Sequence, residues 1–459
     1  MTVQYADHRD DAPIEDRRYD AAARKAIRVL LPMIILIYLL SYLDRTNVAL
    51  AKPAFQRDLG IGPAAYGLGS GLFFIAYAFL EVPSNLLAYR IGPRRWIARI
   101  AVTWGIVSVA MVFVRGDLSF YVLRVLLGAA EAGLFPALLY LITSWFAYRE
   151  RSIMVGWLYV APPLAIIFGN PFGGLLMELN GAGGLQGWQW MFLIEGLPTI
   201  AMGVFLWFRL PDRPRSATWL NPEEAAVLER RAIANTEQRA AIESHGWTKG
   251  LGSATTLLIG TIYFLNQVGW NGLVFFAPGA IHQMNVTSPL LLGIVSSSIG
   301  IGALIGVLVI PRLHRRVPSD SLFLAAVTIG FLLCGLGFGS TGNHVLQMLF
   351  IVCGAIFGVG VLPVYWAVAM RQLNGLQAAA GLAAINTMGL SGGFVGPYLF
   401  GLAESWTGRS SSGFYLIAIA SALALVPIFL LSRVAREDGT QAATQGATMP
   451  AAVARTALE

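Results

Sequence analysis

The chain has 459 residues, 56% of them hydrophobic and only 12% charged, with a mean hydropathy of +0.64. Soluble domains carry roughly 25% charged residues, so a water-facing surface built from this composition would be covered in apolar patches, and a soluble globular fold is excluded. The formal charge of +7 would suit a nucleic-acid ligand, but the basic residues collect in short clusters between apolar runs, where cytoplasmic loops of membrane proteins gather Lys and Arg, so no nucleic acid is expected as a partner.

The first 25 residues mix Asp and Arg and contain no signal-peptide core, so the first apolar segment is expected to be retained. Runs long enough to cross a bilayer core predict spans at 27–48, 64–89, 96–114, 118–142, 152–176 and 189–209, then at 254–281, 287–310, 320–339, 344–370, 378–403 and 411–433. Backbone groups in lipid need partners within the segment, so each span is expected to be a helix. The expected fold is an all-α membrane protein of twelve transmembrane helices in two six-helix bundles, 27–209 and 254–433. A tail (1–26), a linker (210–253) and a second tail (434–459) complete the division, all three cytoplasmic.

Orientation follows from charge. Arg90, Arg94, Arg95 and Arg99, then Arg149 and Arg151, then Arg312, Arg315 and Arg316, then Arg371 fall in one set of loops; Lys52, Arg57, Arg115 and Arg409 fall in the other, a bias of about ten to four. Both termini are therefore expected in the cytoplasm. Cys334 and Cys353 both lie inside apolar runs and read as packed thiols; no metal-ligating cluster and no cofactor motif is present in the sequence.

The linker opens with Pro211-Asp212-Arg213-Pro214, which stops the sixth helix, and Asn221-Pro222-Glu223-Glu224 reads as the start of a solvated amphipathic helix. The halves echo one another. Gly169-Asn170-Pro171-Phe172-Gly173-Gly174 in the fifth span answers Gly392-Gly393-Phe394-Val395-Gly396-Pro397 in the eleventh, and Pro136 in the fourth answers Pro363 in the tenth. Two similar bundles around a central cleft are the architecture of alternating-access carriers.

Charges inside the spans cost roughly 2.5–3.5 kcal/mol each on the insertion scale and usually have a purpose. Asp44 and Arg45 are adjacent in the first span, while Arg124 and Glu131 lie two turns apart on one face of the fourth. Helix directions predict that Asp44 pairs with Arg124 and that Arg45 reaches the deeper Glu131. Arg45 then offers a planar fork for a carboxylate. Protonating Glu131 frees that fork, and Asp44 exchanges protons with the outside under the influence of Arg124. Proton and anion binding favour each other, which is the thermodynamic core of symport.

Glu81 and Glu195 are expected mainly to brace helices, and Tyr77, mid-span on the second helix, reads equally as a hydroxyl donor to a substrate and as a packed tyrosine. The second half shows no buried acid or base within its spans. It offers amides and rings instead: Asn266, Gln267, Trp270 and Asn271 in the seventh span, Tyr365-Trp366 in the tenth and Asn386 in the eleventh.

These stretches resemble the major facilitator superfamily and, within it, the anion:cation symporter family. The resemblance rests on Tyr42-Leu43-Asp44-Arg45-Thr46-Asn47, on Glu81-Val82-Pro83-Ser84-Asn85-Leu86-Leu87, and on Leu123-Arg124 through Gly128, Glu131, Ala132 and Gly133. It continues through Gly187-Trp188-Gln189-Trp190, Glu195-Gly196-Leu197-Pro198, Leu210-Pro211-Asp212-Arg213-Pro214 with Trp219-Leu220, and Asn386 through Gly396-Pro397, over about residues 25 to 435. It implies a proton-coupled carrier in a bacterial inner membrane that rocks two six-helix domains, takes up a sugar acid, tartrate, phthalate or hydroxyphenylacetate, and needs no cofactor or metal. It further implies substrate contacts at Arg45, Tyr77, Trp366 and Asn386 and proton coupling at Asp44 and Glu131, with Arg124 beside them. Pro83-Ser84-Asn85 and Trp219 look closest to the tartrate, phthalate and hydroxyphenylacetate branch. The loop after the second helix departs from the superfamily pattern, with Asn85 and Tyr89 where a Gly and an Asp are usual, and Phe276-Ala277-Pro278 lacks a tryptophan common in the seventh helix.

Symport of a mono- or dicarboxylate by a monomer is thus the leading expectation. Proton-antiport efflux of a drug or metabolite uses the same charges and is the alternative. A ligand sensor on a transporter scaffold usually adds a long signalling domain, whereas the 434–459 tail is short, and a membrane enzyme lacks a nucleophile–base arrangement here.

Overall fold

In lipid every backbone N–H and C=O must find a partner inside the chain, and these spans meet that need as helices. The structure, a computed structural model, describes residues 14–240, 253–373 and 376–447, and no strand occurs among the described residues. The first half comprises α1 (Ile14–Leu59), α2 (Pro63–Ile91), α3 (Pro93–Ala110), a fourth span in two pieces, α4 (Asp117–Glu131) and α5 (Leu134–Trp145), a fifth in two pieces, α6 (Tyr148–Leu158) and α7 (Ala161–Met177), and α8 (Gly187–Arg209). A linker helix, α9 (Pro222–Ala240), leads to α10 (Ala254–Gln283), α11 (Pro289–His314) and α12 (Asp320–Ser340). A tenth span in two pieces follows, α13 (His344–Gly360) and α14 (Leu362–Gln372), then α15 (Leu376–Thr407) and α16 (Tyr415–Ala447).

Ten of the twelve spans are long and apolar enough to cross a membrane by composition alone. The other two, α10 and α15, are diluted by Asn266, Gln267 and Asn271 and by Asn386 and Glu404; they pack extensively on each other and also touch the first half. The result is the two-bundle all-α membrane fold, with the start of α1 and the end of α16 on the side rich in arginine.

The first helix is longer than hydropathy suggests. It runs unbroken through Pro53 to Leu59, so Lys52 is not a loop residue: it lies in the helix and is buried. Likewise α15 continues through Glu404, which is also buried, so the second half does contain a buried acid. Both were misplaced for the same reason: a charged side chain ends an apolar run in the sequence but does not end a helix.

The three broken spans put backbone irregularity at mid-membrane. Between α4 and α5, Gly133 takes φ +86, and a Cβ there would stand 2.2 Å from Ser84 Oγ, so glycine is required on both counts. The Ser84 hydroxyl donates to the Ala132 carbonyl (2.6 Å) and accepts from Trp96 Nε1 (2.9 Å), occupying groups that the break leaves open. Pro162 and Pro163 follow the second break, and Pro363 follows the third, each in a first helical turn where its missing N–H costs little.

The halves meet through two pseudo-equivalent helix pairs, α2 with α15 and α7 with α11. Small residues make the approach possible: a Cβ on Gly67 would lie 2.3 Å from the Pro397 carbonyl oxygen, and one on Gly293 would lie 2.2 Å from that of Asn170. These are the two Gly-Pro stretches that echo in the sequence. The tight contacts gather toward the outer ends, where Tyr66 also donates to the carbonyls of Val48 and Phe275 in opposite halves (3.1 Å each) and Glu178 accepts from Ser288 Oγ (2.9 Å). The halves are therefore closed on the outer side.

On the inner side, the first turn of α3 is tied to the segment just after α8. Asp212 accepts from the Arg94 backbone N–H (2.8 Å) and lies 3.4 Å from its Nε. The linker helix starts as its sequence suggests, with Asn221 and Glu224 exchanging backbone hydrogen bonds (2.7 and 2.9 Å) in a capping box. The Asn221 N–H and then the Lys25 ammonium, at 2.9 Å, hold the Glu224 carboxyl below its usual range. The helix is more than solvated: Leu228 and Val227 are buried, and nearby Trp219 stacks on Trp145 at 5.6 Å.

Candidate functional site

Between the halves lies a cavity of about 170 Å³ whose charged lining among the described residues is Arg45, Glu81 and Glu131. Glu131 is the last residue of α4, set at the break, and is fully buried. Its Oε1 accepts from Arg45 Nη2 (2.5 Å), Arg45 Nε (3.2 Å) and Ser41 Oγ (2.8 Å), so the expected Arg45–Glu131 contact is present. Arg45 is wrapped in aromatic faces, with Tyr42, Phe73 and Tyr77 ring centres 4.8, 5.0 and 5.4 Å from its guanidinium carbon. Its Nη1 makes no hydrogen bond among the described residues and is not sealed off, which leaves one arm of the fork free.

The expected Asp44–Arg124 pair does not form. Adjacent residues on a helix point about 100° apart, so with Arg45 on the cavity Asp44 turns to α3. There it is buried and accepts hydrogen bonds from Trp104 Nε1 and Ser108 Oγ, residues one turn apart on the facing helix. Arg124 instead donates to two carbonyls of α2, Gly69 (3.3 Å) and Ser70 (3.2 Å), and stacks at 4.8 Å on Phe73. Neither Asp44 nor Arg124 lines the cavity. Asp44 is turned to α3, and Arg124 lies two turns from Glu131 along α4, bonded to α2.

Tyr77, Trp366 and Asn386 do line it, Trp366 packing edge-on to Tyr263 at 5.7 Å. Gln267, Trp270 and Asn271 join them, whereas Asn266 turns away and donates to the Gly358 carbonyl (3.0 Å). Tyr38, Tyr42, Tyr159 and Tyr263 complete an aromatic lining that sequence reading did not assemble. Tyr159 sits at the break of the fifth span, and the Pro162-Pro163 pair after it was the available signal. Glu81 braces the two halves, accepting from Asn386 Nδ2 (3.0 Å), and it also faces the cavity. Glu195 lies outside the cavity lining, buried in α8 beside Asn47. No group of three or more His, Cys, Asp or Glu capable of holding a metal occurs among the described residues.

Comparison with known proteins agrees with this architecture. The sequence profile of the Major Facilitator Superfamily matches residues 34–397. A protein named as a putative tartrate transporter of Agrobacterium vitis is 36% identical over 92% of this chain and 96% of its own length. A quinolone resistance transporter of Acinetobacter baumannii is also 36% identical, over 90% and 95%. Among solved structures, a xylose transporter of Escherichia coli in a partially occluded inward-open conformation superposes with a TM-score of 0.71 at 14% identity, over 88% of this chain and 97% of that one, a likeness of fold alone. Two helical bundles closed around a central cavity, and kinship spanning nearly the whole sequence, place this chain in the major facilitator superfamily, as a multi-pass membrane transporter of a small molecule and not an enzyme.

Proposed function

We propose that the carrier imports a small organic anion, a mono- or dicarboxylate such as a sugar acid, tartrate or an aromatic acid, together with protons, across a bacterial inner membrane by alternating access. The observation that carries this reading is Arg45: a permanent cation at the cavity wall, held on one edge by Glu131 and free on the other. A carboxylate is the complement of that fork. While Glu131 is ionised it competes for Arg45 and repels the anion; once protonated it releases both constraints, so proton and anion bind cooperatively. Asp44, held by Trp104 and Ser108 outside the cavity lining, is proposed as the residue that carries the coupling proton, with Arg124 tying α4 to α2. Tyr77, Trp366 and Asn386 supply the shape and hydrogen bonds that select the cargo. The tartrate name of one relative supports this assignment.

Efflux by proton antiport is the second reading. It is favoured by two acids and many aromatic rings on the same cavity, and by a relative of equal identity named for quinolone resistance. Reconstitution in liposomes with an inward proton gradient separates the two. Accumulation of sugar acids, tartrate, phthalate or hydroxyphenylacetate that collapses with a protonophore supports symport. No acid uptake, with pH-driven movement of cationic or neutral compounds, supports efflux.

A further inference from the structure

The charges on the cavity do not suit an anion as they stand. Arg45 is opposed by Glu81 and Glu131, one cation against two acids, a formal charge of −1 among the described lining residues. Protonating Glu131 brings the cavity only to neutrality, because Glu81 still faces the cargo. The two acids are also held differently. Glu131 has a guanidinium and a hydroxyl on one oxygen, whereas Glu81 has a single amide donor, Asn386 Nδ2, on Oε2. No hydrogen bond reaches Glu81 Oε1 among the described residues, nor is that atom sealed in the protein.

Glu81 follows Tyr77 by one helical turn, and Tyr77 covers Arg45. The first-half wall of the cavity therefore carries a guanidinium from α1 and a carboxyl from α2, the carboxyl one turn, roughly 5–6 Å, along α2 from the ring that covers Arg45. Among the described residues that line the cavity, the remaining titratable and charged groups around Glu81 are tyrosines and a partnered acid: Tyr38 and Tyr42 on α1, Tyr77 on its own helix, Glu131 on α4, Tyr159 just before α7 and Tyr263 on α10. From α15, the helix packed most closely on α2, Asn386 faces it without charge.

We propose that Glu81 is a second cargo-linked proton site, a charge filter on the cavity wall one turn from the ring that covers Arg45. Ionised, it repels a second negative charge. Protonated, it keeps its carbonyl oxygen for Asn386 and turns its O–H toward the cargo, donating to an anionic or hydroxyl oxygen that the ionised form would reject. Each anion bound then brings one proton to Glu81 in addition to any at Glu131, and a dianion depends on that proton more than a monoanion does. This rests on the reading that Arg45 holds a carboxylate.

The test uses the full-length purified carrier and measures the binding of tartrate and of hydroxyphenylacetate from pH 5 to 9, in wild type and in Glu81→Gln. The amide preserves the acceptor for Asn386 and mimics the neutral acid. One linked proton corresponds to a tenfold change in affinity per pH unit. Glu81→Gln is therefore expected to bind tartrate at least tenfold more tightly than wild type at alkaline pH, with a dependence on pH shallower by about tenfold per unit. Hydroxyphenylacetate should show the smaller change. Glu131→Gln, read in parallel, should keep the share due to Glu81. An unaltered pH slope in Glu81→Gln, or a slope fully abolished in Glu131→Gln, overturns the proposal while leaving carboxylate transport standing. Absence of binding by both acids and by the rest of the carboxylate panel in the wild type overturns the carboxylate reading itself, and the role of Glu81 with it.

Discussion

Lys52 Nζ lies 2.8 Å from both carboxylate oxygens of Glu404, and the pair joins the two halves of the carrier. Both side chains are almost fully buried, 1% and 5% exposed, beneath the ring of Phe276 at 4.9 Å from the ammonium. Gly279 gives the ammonium its space, since a Cβ there would stand 2.8 Å from Nζ. Glu178 and Tyr66 close the same outer side. Opening to the outside must part this pair and rehydrate both charges.

Breaking a buried pair by removing one partner strands the other, at a cost of about 3–5 kcal/mol. In an outward-open state the stranded charge meets water, so the cost falls on the closed state. Lys52→Met and Glu404→Gln are therefore each expected to shift the carrier toward outward-open by about 100-fold or more. Spin labels at Leu179→Cys and Val345→Cys, on the outer ends of opposite halves, should report a longer distance population in either variant. An unchanged distance distribution would show that the pair does not govern the outer gate.

The Arg45 fork yields a sharper prediction than its charge does. Arg45→Gln should weaken carboxylate binding by about 100-fold or more, the usual scale for losing one partner of a desolvated, hydrogen-bonded charge pair. Arg45→Lys keeps the charge but cannot serve Glu131 and a cargo carboxylate with separate edges, so it should recover only part of that loss. Titration calorimetry on the three proteins with one transported acid decides it. Equal affinities would remove Arg45 from the binding site.

Asp44→Asn should separate binding from energy coupling. The amide can keep a hydrogen bond from Ser108 or Trp104, and Asp44 does not touch the cavity, so cargo affinity should change less than threefold. Exchange of labelled for unlabelled cargo across liposomes should persist while accumulation driven by a proton gradient disappears. Accumulation at the wild-type level in this variant would rule Asp44 out as the coupling residue.

Hydropathy and loop charge were enough to place the helices, because a lipid solvent leaves the chain few alternatives. The Arg45–Glu131 contact was legible for a related reason: charges in a span are rare, and few partners exist. Hydropathy carries no information on which way a side chain turns. Asp44 could not be assigned without fixing the face of α1 that meets the cavity. Once Arg45 is placed there, Asp44 must face α3, where Trp104 and Ser108 sit one turn apart. The same rotation places Lys52, seven residues beyond Arg45, on the cavity-facing side of α1. That seven-residue spacing is present in the sequence, but Lys52 lies beyond the apolar run that stops at residue 48. Glu81 was read as a brace because its partner, Asn386, lies 305 positions away in the other half.

Gly133 tests whether the break in the fourth span is what presents Glu131 to the cavity. A side chain there meets two penalties: φ +86 disfavours any L-residue by about 1–2 kcal/mol, and its Cβ would stand 2.2 Å from Ser84 Oγ. Ser84 cannot simply withdraw, since it links Ala132 to Trp96 and so ties α2, α3 and the fourth span together. Gly133→Ala should therefore lower the melting temperature and, by moving the end of α4, also weaken anion binding. Adding Ser84→Ala removes the hydroxyl but neither the backbone strain nor the lost tie between helices, so the double variant should regain only a part of the stability. If Gly133→Ala alone melts and binds as the wild type does, the break is not under steric control, and the position of Glu131 must be set by Arg45 and Ser41 instead.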